Sequence, residues 1–420
     1  MRFLPSRHSY PEPFSSGGGH VRRLQPGRWA VVVVSMFLLS SWISSAAIAA
    51  QPLQTSVPHA ILIDASTHSV LFEKNADDLV VPASTVKIMT AEMVFEAIKA
   101  GKLKLNDELK VSKTAWRQGG APAHGTTMFA AVNSYVPVED LIRGLAIVSA
   151  NDASIVLAEA LAGSEGAFAT QMTARAHALG FTHLTFTNSW GRADPDQLVT
   201  AREMALLSAH LIDTFPTLYR YFGEKDFTWN KIKQPNRNPL MTLDIGVDGL
   251  KTGYIEGSGY DIVASAVQNG ERLIFALYGA KTAKERETEA VRIFQWGFRS
   301  FQAKVLFGRG EVVGAARVFG GSQGEVPLVA PDAVKVLVPR DLNEPLTGRI
   351  VYTGPLLAPV KAGKEVAQLQ IYRGAIQVYE TPLRTAADVG RGSLQSRAMD
   401  SVFEYIGYQF RKYVLKAVSH

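Results

Sequence analysis

Cysteine is absent from all 420 residues. No disulfide can brace the chain, so its stability must come from hydrophobic cores. Histidine is sparse and scattered: His59, His68, His177 and His183 stand without the spacing of metal ligands, and neither a metal nor a cofactor is expected. A basic surplus is also nearly missing. The formal charge is +6, but Arg2, Arg7, Arg22, Arg23 and Arg28 against Glu12 place four of those charges in the first 49 residues. What remains is too little to argue for nucleic acid. Internal repeats are lacking. Long apolar runs are confined to WAVVVVSMFLLSSWISSAAIAA, residues 29–50. With Arg22, Arg23 and Arg28 before it and Ala47-Ile48-Ala49 at its close, this is the layout of a secretory signal peptide over residues 1–49. The run is also long enough to be an uncleaved membrane anchor.

What is present is an ordinary folding composition, 47% hydrophobic and 20% charged, in a chain long enough for two domains with terminal extras. HAILIDA and SVLFEK read as strands joined at Ser66-Thr67-His68. Helical patterns follow over residues 84–99, 138–148, 152–161 and 166–179. VDGLKTGY, YDIVASAVQ and RLIFALYG read as strands, the last two joined by Asn269-Gly270, a strong hairpin signal. A helix over 283–299 closes the unit. Strands at both ends with helices between predict an antiparallel sheet packed on helices. From about Gln302 to Leu383 the texture changes to short β segments punctuated by glycine and proline, a small β domain without a catalytic cluster. Gly390-Arg391-Gly392-Ser393 reads as a linker. The end of the chain, SRAMDSVFEYIGYQFRKYVLKAVSH, places Met399, Val402, Phe403, Ile406, Phe410, Tyr413 and Val414 on one side of a helix. Its terminal position and its basic residues favour a membrane interface, with packing against the β domain as the other reading.

The stretch VVPASTVKIMT, residues 80–90, carries the chemistry. Lys87 stands inside a helix that is apolar on nearly every face. Ser84 precedes it by three residues, one helical turn away on the same face. A serine hydroxyl needs a base to take its proton, and a lysine serves only when its amine is partly neutral. Burial among Val86, Ile88, Met89 and Met93 favours the neutral form. S-x-x-K alone is weak, and by itself Ser84 reads as a helix cap. Two more motifs change that reading. Ser149-Ala150-Asn151 follows the apolar helix LIRGLAIV, where a helix breaks. Lys251-Thr252-Gly253 opens an expected edge strand, with Gly253 allowing close backbone approach.

As an ordered trio these motifs are the constellation of active-site serine penicillin-recognising enzymes. VVPASTVKIMTAEMVFEAIKAGKL, LIRGLAIVSANDASIVLAEALAGS, NRNPLM, VDGLKTGYIEGSGYDIVASA and FQWGFRSF resemble the D-alanyl-D-alanine carboxypeptidase family of low-molecular-mass penicillin-binding proteins. The resemblance runs from about residue 55 to the C-terminus. It implies an α+β, transpeptidase and β-lactamase-like domain over residues 55–300, a small all-β domain over 302–386 and an amphipathic membrane-anchoring helix over 395–418. By the same resemblance, Ser84 is the nucleophile and Lys87 its general base. Ser149 and Lys251 pass the proton to the departing amine, and Asn151 orients the substrate amide or Lys87. Lys251, Thr252, Gly253, Tyr254 and Arg237 bind substrate: Ser84 and Tyr254 through backbone N–H groups for the oxyanion, Thr252 and Arg237 for the terminal carboxylate. The implied partners are peptidoglycan stem peptides, β-lactam antibiotics and, through the tail helix, the inner-membrane surface. The implied location is the periplasmic face of the cytoplasmic membrane, with peripheral anchoring. Tyr254 after the K-T-G, Ala150 and the stretch Asn188-Ser189-Trp190-Gly191 depart from the family's usual residues.

Three other readings remain to be separated from this one. A class A β-lactamase needs a deacylating glutamate, and Glu159, Glu165, Glu203 and Glu224 do not begin the expected E-x-x-L-N pattern; Glu203 reads as structural. A DD-endopeptidase would cut cross-links rather than trim stems. A non-catalytic sensor would keep the fold without turnover.

Overall fold

The computed structural model describes residues 2–3, 53–341, 345–395, 397–399 and 401–402. Apart from Arg2 and Phe3, which pair in parallel with Thr347 and Gly348, the expected leader lies outside these residues. The same holds for most of the expected tail helix.

The first unit is built on a five-stranded antiparallel sheet. β1 (His59–Asp64) and β2 (Val70–Lys74) form a hairpin. Its turn is fixed by the Asp64 carboxylate, which accepts from Ser66 N at 3.1 Å and Thr67 Oγ1 at 2.6 Å. β3 (Val247–Ile255), β4 (Gly259–Gln268) and β5 (Glu271–Ala280) complete the sheet in the order β2-β1-β5-β4-β3. Asn269 and Gly270 adopt φ of 52° and 79°, the left-handed pair that a two-residue hairpin needs. β3 is therefore an edge strand, as its sequence predicted, with one side open to pairing.

Helices cover both faces of the sheet. On one face lies α5 (Ala283–Ser300), whose Ala290, Ile293 and Phe294 pack with Phe275, Ile262 and Leu273. On the other lie α1 (Lys87–Lys99), α2 (Asn151–Ala162), α3 (Glu165–Ala178) and α4 (Ala201–Thr214). α1 runs through the middle of this layer, so apolar residues on nearly every face are what its position demands. Its one buried carboxylate, Glu92, accepts from Arg175 at 2.9 Å.

Three features differ from the sequence reading. Ser84 precedes α1 in a 3₁₀ turn, Ala83–Val86, instead of opening the helix itself. The expected helix 138–148 changes at Gly144 into a five-residue π turn, Gly144–Val148. α4 was not anticipated, although Thr200 and Glu203 form the start of a capping box: the Thr200 hydroxyl accepts from Glu203 N at 3.1 Å.

Strands from Phe301–Phe307 to Ile376–Thr385 form the second unit, with its own core that includes Val313, Leu328, Val336, Leu369 and Leu383. The expected linker is pinned to it. Val389 bridges Val360, Ser322 N donates to Gly390 O at 2.8 Å and Gly392 N to Gly320 O at 2.9 Å. A helix begins at Leu394, with Met399 and Val402 exposed. Among the described residues no helix is long and apolar enough to cross a membrane.

Phe95 anchors α1. It is fully buried, with its ring edge-on to Phe215 at 5.8 Å and Phe222 at 6.4 Å. Phe95→Ala is expected to cost about 3–5 kcal/mol, read as a lower urea midpoint.

Candidate active site

Pro82 caps the turn that carries Ser84. A 3₁₀ turn has three residues per turn, so side chains at i and i+3 eclipse and stack more directly than on an α-helix. Ser84 and Lys87 are such a pair, and Lys87 Nζ lies 3.1 Å from Ser84 Oγ. Ser84 is half-buried while Lys87 is wholly buried. Two glycines from distant segments press on this turn. A Cβ on Gly253 would lie 2.8 Å from Ala83 Cβ, and one on Gly191 would lie 2.1 Å from Ala83 O. Neither position admits a side chain without moving the serine.

The second motif sits where the π turn ends. Ser149 takes φ of 62°, reversing the chain so that Asn151 can open α2. Asn151 Oδ1 accepts from Lys87 Nζ at 2.8 Å. Thr126 holds the reversal from the side: its hydroxyl donates to Ser149 O at 2.6 Å, and its carbonyl accepts from Asn151 N at 2.8 Å. The Ser149 hydroxyl is buried and, among the described residues, has no hydrogen-bond partner.

A third acceptor for Lys87 was not foreseen. Trp190 O accepts from Lys87 Nζ at 2.5 Å. That carbonyl is aimed by its loop. Asn188 Oδ1 accepts from Trp190 N at 3.4 Å, Gly191 N at 2.8 Å and Arg192 N at 2.9 Å. Ser189 is fixed through Thr90 Oγ1, which donates to Ser189 O at 2.6 Å, and through the Glu165 carboxylate, which accepts from Ser189 Oγ at 3.1 Å. An asparagine followed within three residues by glycine is a turn signal. That signal marks a loop but says nothing of where the loop docks.

The edge strand supplies the rest. Lys251 is buried, and among the described residues its amine has only the Thr252 carbonyl within reach, at 3.5 Å. Thr252 Oγ1 lies 3.4 Å from Arg237 O, and Arg237 N donates to Ile147 O at 3.0 Å. Arg237 thus comes beside the edge strand with an exposed side chain that, among the described residues, makes no ion pair. The Tyr254 ring is exposed and packs on Tyr260, centroids 4.3 Å apart. Lys87 thus brings Ser84 and Asn151 together, Gly253 abuts the turn of Ser84, and Thr252 lies beside Arg237, while no hydrogen bond among the described residues joins the Ser149 side chain or the Lys251 amine to Ser84. His183 and Glu203 pair with each other instead, at 2.7 Å.

Burial sets the electrostatics. It is the main reason that the Lys87 amine titrates well below an ordinary lysine; the charge of Lys251 adds to this, while Asp152 and Glu165 oppose it. Burial, then Arg237 and Arg286, bring Lys251 down to about 7. No carboxylate hydrogen-bonds to either amine among the described residues. NMR of lysines labelled at Cε should show two amines titrating far below the others, one near pH 7. The unfolded chain keeps the Lys251 proton up to about 10.5 whereas the folded site releases it near 7, so this site's contribution to stability rises with pH across that window. Lys251→Met should flatten that part of the rise in Tm.

Known proteins resemble this chain in both of its units. Residues 46–282 match the family model described as D-alanyl-D-alanine carboxypeptidase, and residues 301–391 match the C-terminal domain of penicillin-binding protein 5. The D-alanyl-D-alanine carboxypeptidase DacC of Escherichia coli is 40% identical over 345 residues, covering 81% of this chain and 86% of that protein. The crystal structure of penicillin-binding protein 5 from Haemophilus influenzae superposes with a TM-score of 0.73 at 34% identity, covering 81% of this chain and 99% of that one. A D-alanyl-D-alanine endopeptidase of Pseudomonas aeruginosa reaches 25% identity over 63% of the chain. With both of its units matched and the greater similarity on the carboxypeptidase side, the chain belongs to the D-alanyl-D-alanine carboxypeptidase family and is a serine-type DD-carboxypeptidase.

Proposed function

We propose that Ser84 cleaves the bond between the two terminal D-alanines of peptidoglycan stem pentapeptides by forming an acyl-enzyme. The observation that carries this reading is the set of groups around the Lys87 amine. A neutral amine has two N–H donors and one lone pair. With its donors on Asn151 Oδ1 at 2.8 Å and Trp190 O at 2.5 Å, the lone pair is left for the Ser84 hydroxyl at 3.1 Å. All three partners are uncharged, so nothing in direct contact draws the amine back to the ammonium form.

In this mechanism Ser84 Oγ attacks the scissile carbonyl carbon as its proton passes to Lys87 Nζ. The carbonyl oxygen becomes an oxyanion and is met by the backbone N–H groups of Ser84 and Tyr254. Each such donor is worth about 10²–10³ in rate. Collapse breaks the C–N bond, and the departing amine takes a proton through Ser149 and Lys251. Lys251, with a pKa of about 7, is suited to both giving and regaining a proton near neutrality. Water then hydrolyses the acyl ester. Arg237 and Thr252 hold the free carboxylate of the substrate. A β-lactam enters the same site, since its strained amide and carboxylate imitate the acyl-D-Ala-D-Ala end, and leaves its acyl group on Ser84.

The leader over residues 1–49 would export the protein, and the basic amphipathic tail over 395–418 would lay it on the periplasmic face of the cytoplasmic membrane. The catalytic unit would occupy residues 55–300 and the β domain 302–386.

Mass spectrometry of pentapeptide products should show release of one D-alanine by the wild type and none by Ser84→Ala. Cross-linked dimer muropeptides should stay uncut; their cleavage would favour an endopeptidase. Lys87→Arg, which cannot shed its proton, should fail to acylate with a fluorescent penicillin, and normal labelling would end this mechanism. Arg237→Ala should raise KM for the peptide about 10- to 100-fold, the worth of a charge-assisted hydrogen bond. A chain ending at Leu394 and lacking the leader should bind anionic vesicles less than one extending to residue 420; equal binding would refute the anchor.

A further inference from the structure

In the pairing of β3 with β4, Asp261 lies opposite Gly253. It is 1% exposed. Its Oδ1 accepts from Gly279 N at 3.0 Å. Its Oδ2 is buried and, among the described residues, has no hydrogen-bond partner. The missing side chain of Gly253 makes room for that oxygen, which lies 3.3 Å from the point a Cβ would occupy there. Ser84 N lies 3.2 Å from the same point. One absent methyl group thus separates the carboxyl from an N–H assigned to the oxyanion. No step of the mechanism uses this group, and a buried carboxyl oxygen without a partner needs a reason.

We propose that Asp261 is a positioning residue of the oxyanion corner, held as a neutral carboxylic acid so that no negative charge stands behind the Ser84 N–H while the acyl oxygen gathers its own. The inference rests on the serine acylation described above.

The surroundings keep the acid neutral. Arg286 on α5 favours its ionisation and so does the Gly279 N–H, but burial outweighs both and raises its pKa to about 8. Among the described residues no ion pair joins Asp261 to Arg286. Tyr278 on β5 stands close enough for a carboxylate to oppose its own ionisation. His59 and Ser258 line the same cleft of about 230 Å³, which opens beside Asp261. On β3, the strand facing it, Lys251 and Tyr254 flank the Thr252-Gly253 pair, and Tyr254 pairs with Tyr260, the residue before Asp261. Deprotonation would put a unit charge behind the oxyanion. In the partly screened interior of a protein, at this range, that should slow acylation on the order of 10- to 100-fold.

The test is the rate of Ser84 acylation by a fluorescent penicillin between pH 6 and 9.5, with Ser84→Ala as the blank. The wild type is expected to fall at least about tenfold above pH 8. Asp261→Asn has the shape of the neutral acid but cannot ionise, and is expected to keep only the change with pH that Lys251, titrating near 7, imposes on both proteins, so that the ratio of wild-type to variant rate falls at least about tenfold between pH 7 and 9.5. A ratio that stays constant across that range would overturn the proposal. Carbon-13 NMR of aspartate-labelled wild type, which needs no variant, should find one carboxyl still protonated at pH 7; ionisation of all of them by pH 6 would overturn it too. Absence of wild-type labelling at every pH would instead refute the acylation reading itself.

Discussion

An ammonium group that has left water and found no anion binds its proton weakly. Lys87 is held in that condition, its amine wholly buried and hydrogen-bonded only to a hydroxyl, an amide oxygen and a peptide carbonyl. A carboxylate among those partners would restore the charge and leave Ser84 without a base. The rest of the catalytic unit can be understood as the packing needed to keep three uncharged partners around one nitrogen.

Each partner comes from a different part of the chain. Ser84 is on the turn before α1, Asn151 opens α2 behind a reversed Ser149, and Trp190 belongs to a loop closed by Asn188. Because α1 lies between the sheet and the other helices, its first turn is where these segments converge. The edge position of β3 matters equally. A strand with a free side can present Thr252, Gly253 and Tyr254 to an extended peptide, and the bare Gly253 lets it approach within contact of Ala83. The same bareness leaves room for the Asp261 carboxyl. Two kinds of buried ionisable group, amine and acid, are thus both biased toward neutrality before the reaction begins.

Much of this was legible in the residues. The hairpin at Asn269-Gly270, the edge strand at Lys251-Thr252-Gly253 and the buried character of α1 follow from local pattern and appear as expected. The misses share a cause. The 3₁₀ turn at Ser84 is imposed by the docking of Gly191 and Gly253, and the π turn at Gly144 ends in contacts with segments far away in sequence. α4 carries a local sign in Thr200 and Glu203, the cap at its start. Gly390–Gly392 has the composition of a linker, yet its backbone groups find partners at Gly320 and Ser322.

By itself the sequence determined which groups could react: a serine one turn from a lysine, a hydroxyl and amide after an apolar helix, and a lysine on a glycine-bearing strand. Side-chain chemistry and short-range spacing are properties of the chain alone. The folded structure decided what those groups became. The neutrality of Lys87, the service of the Trp190 carbonyl and the closeness of Asp261 to Ser84 all depend on segments tens to hundreds of residues apart meeting without water between them. Solvation and contact are properties of three-dimensional packing, which no local pattern encodes.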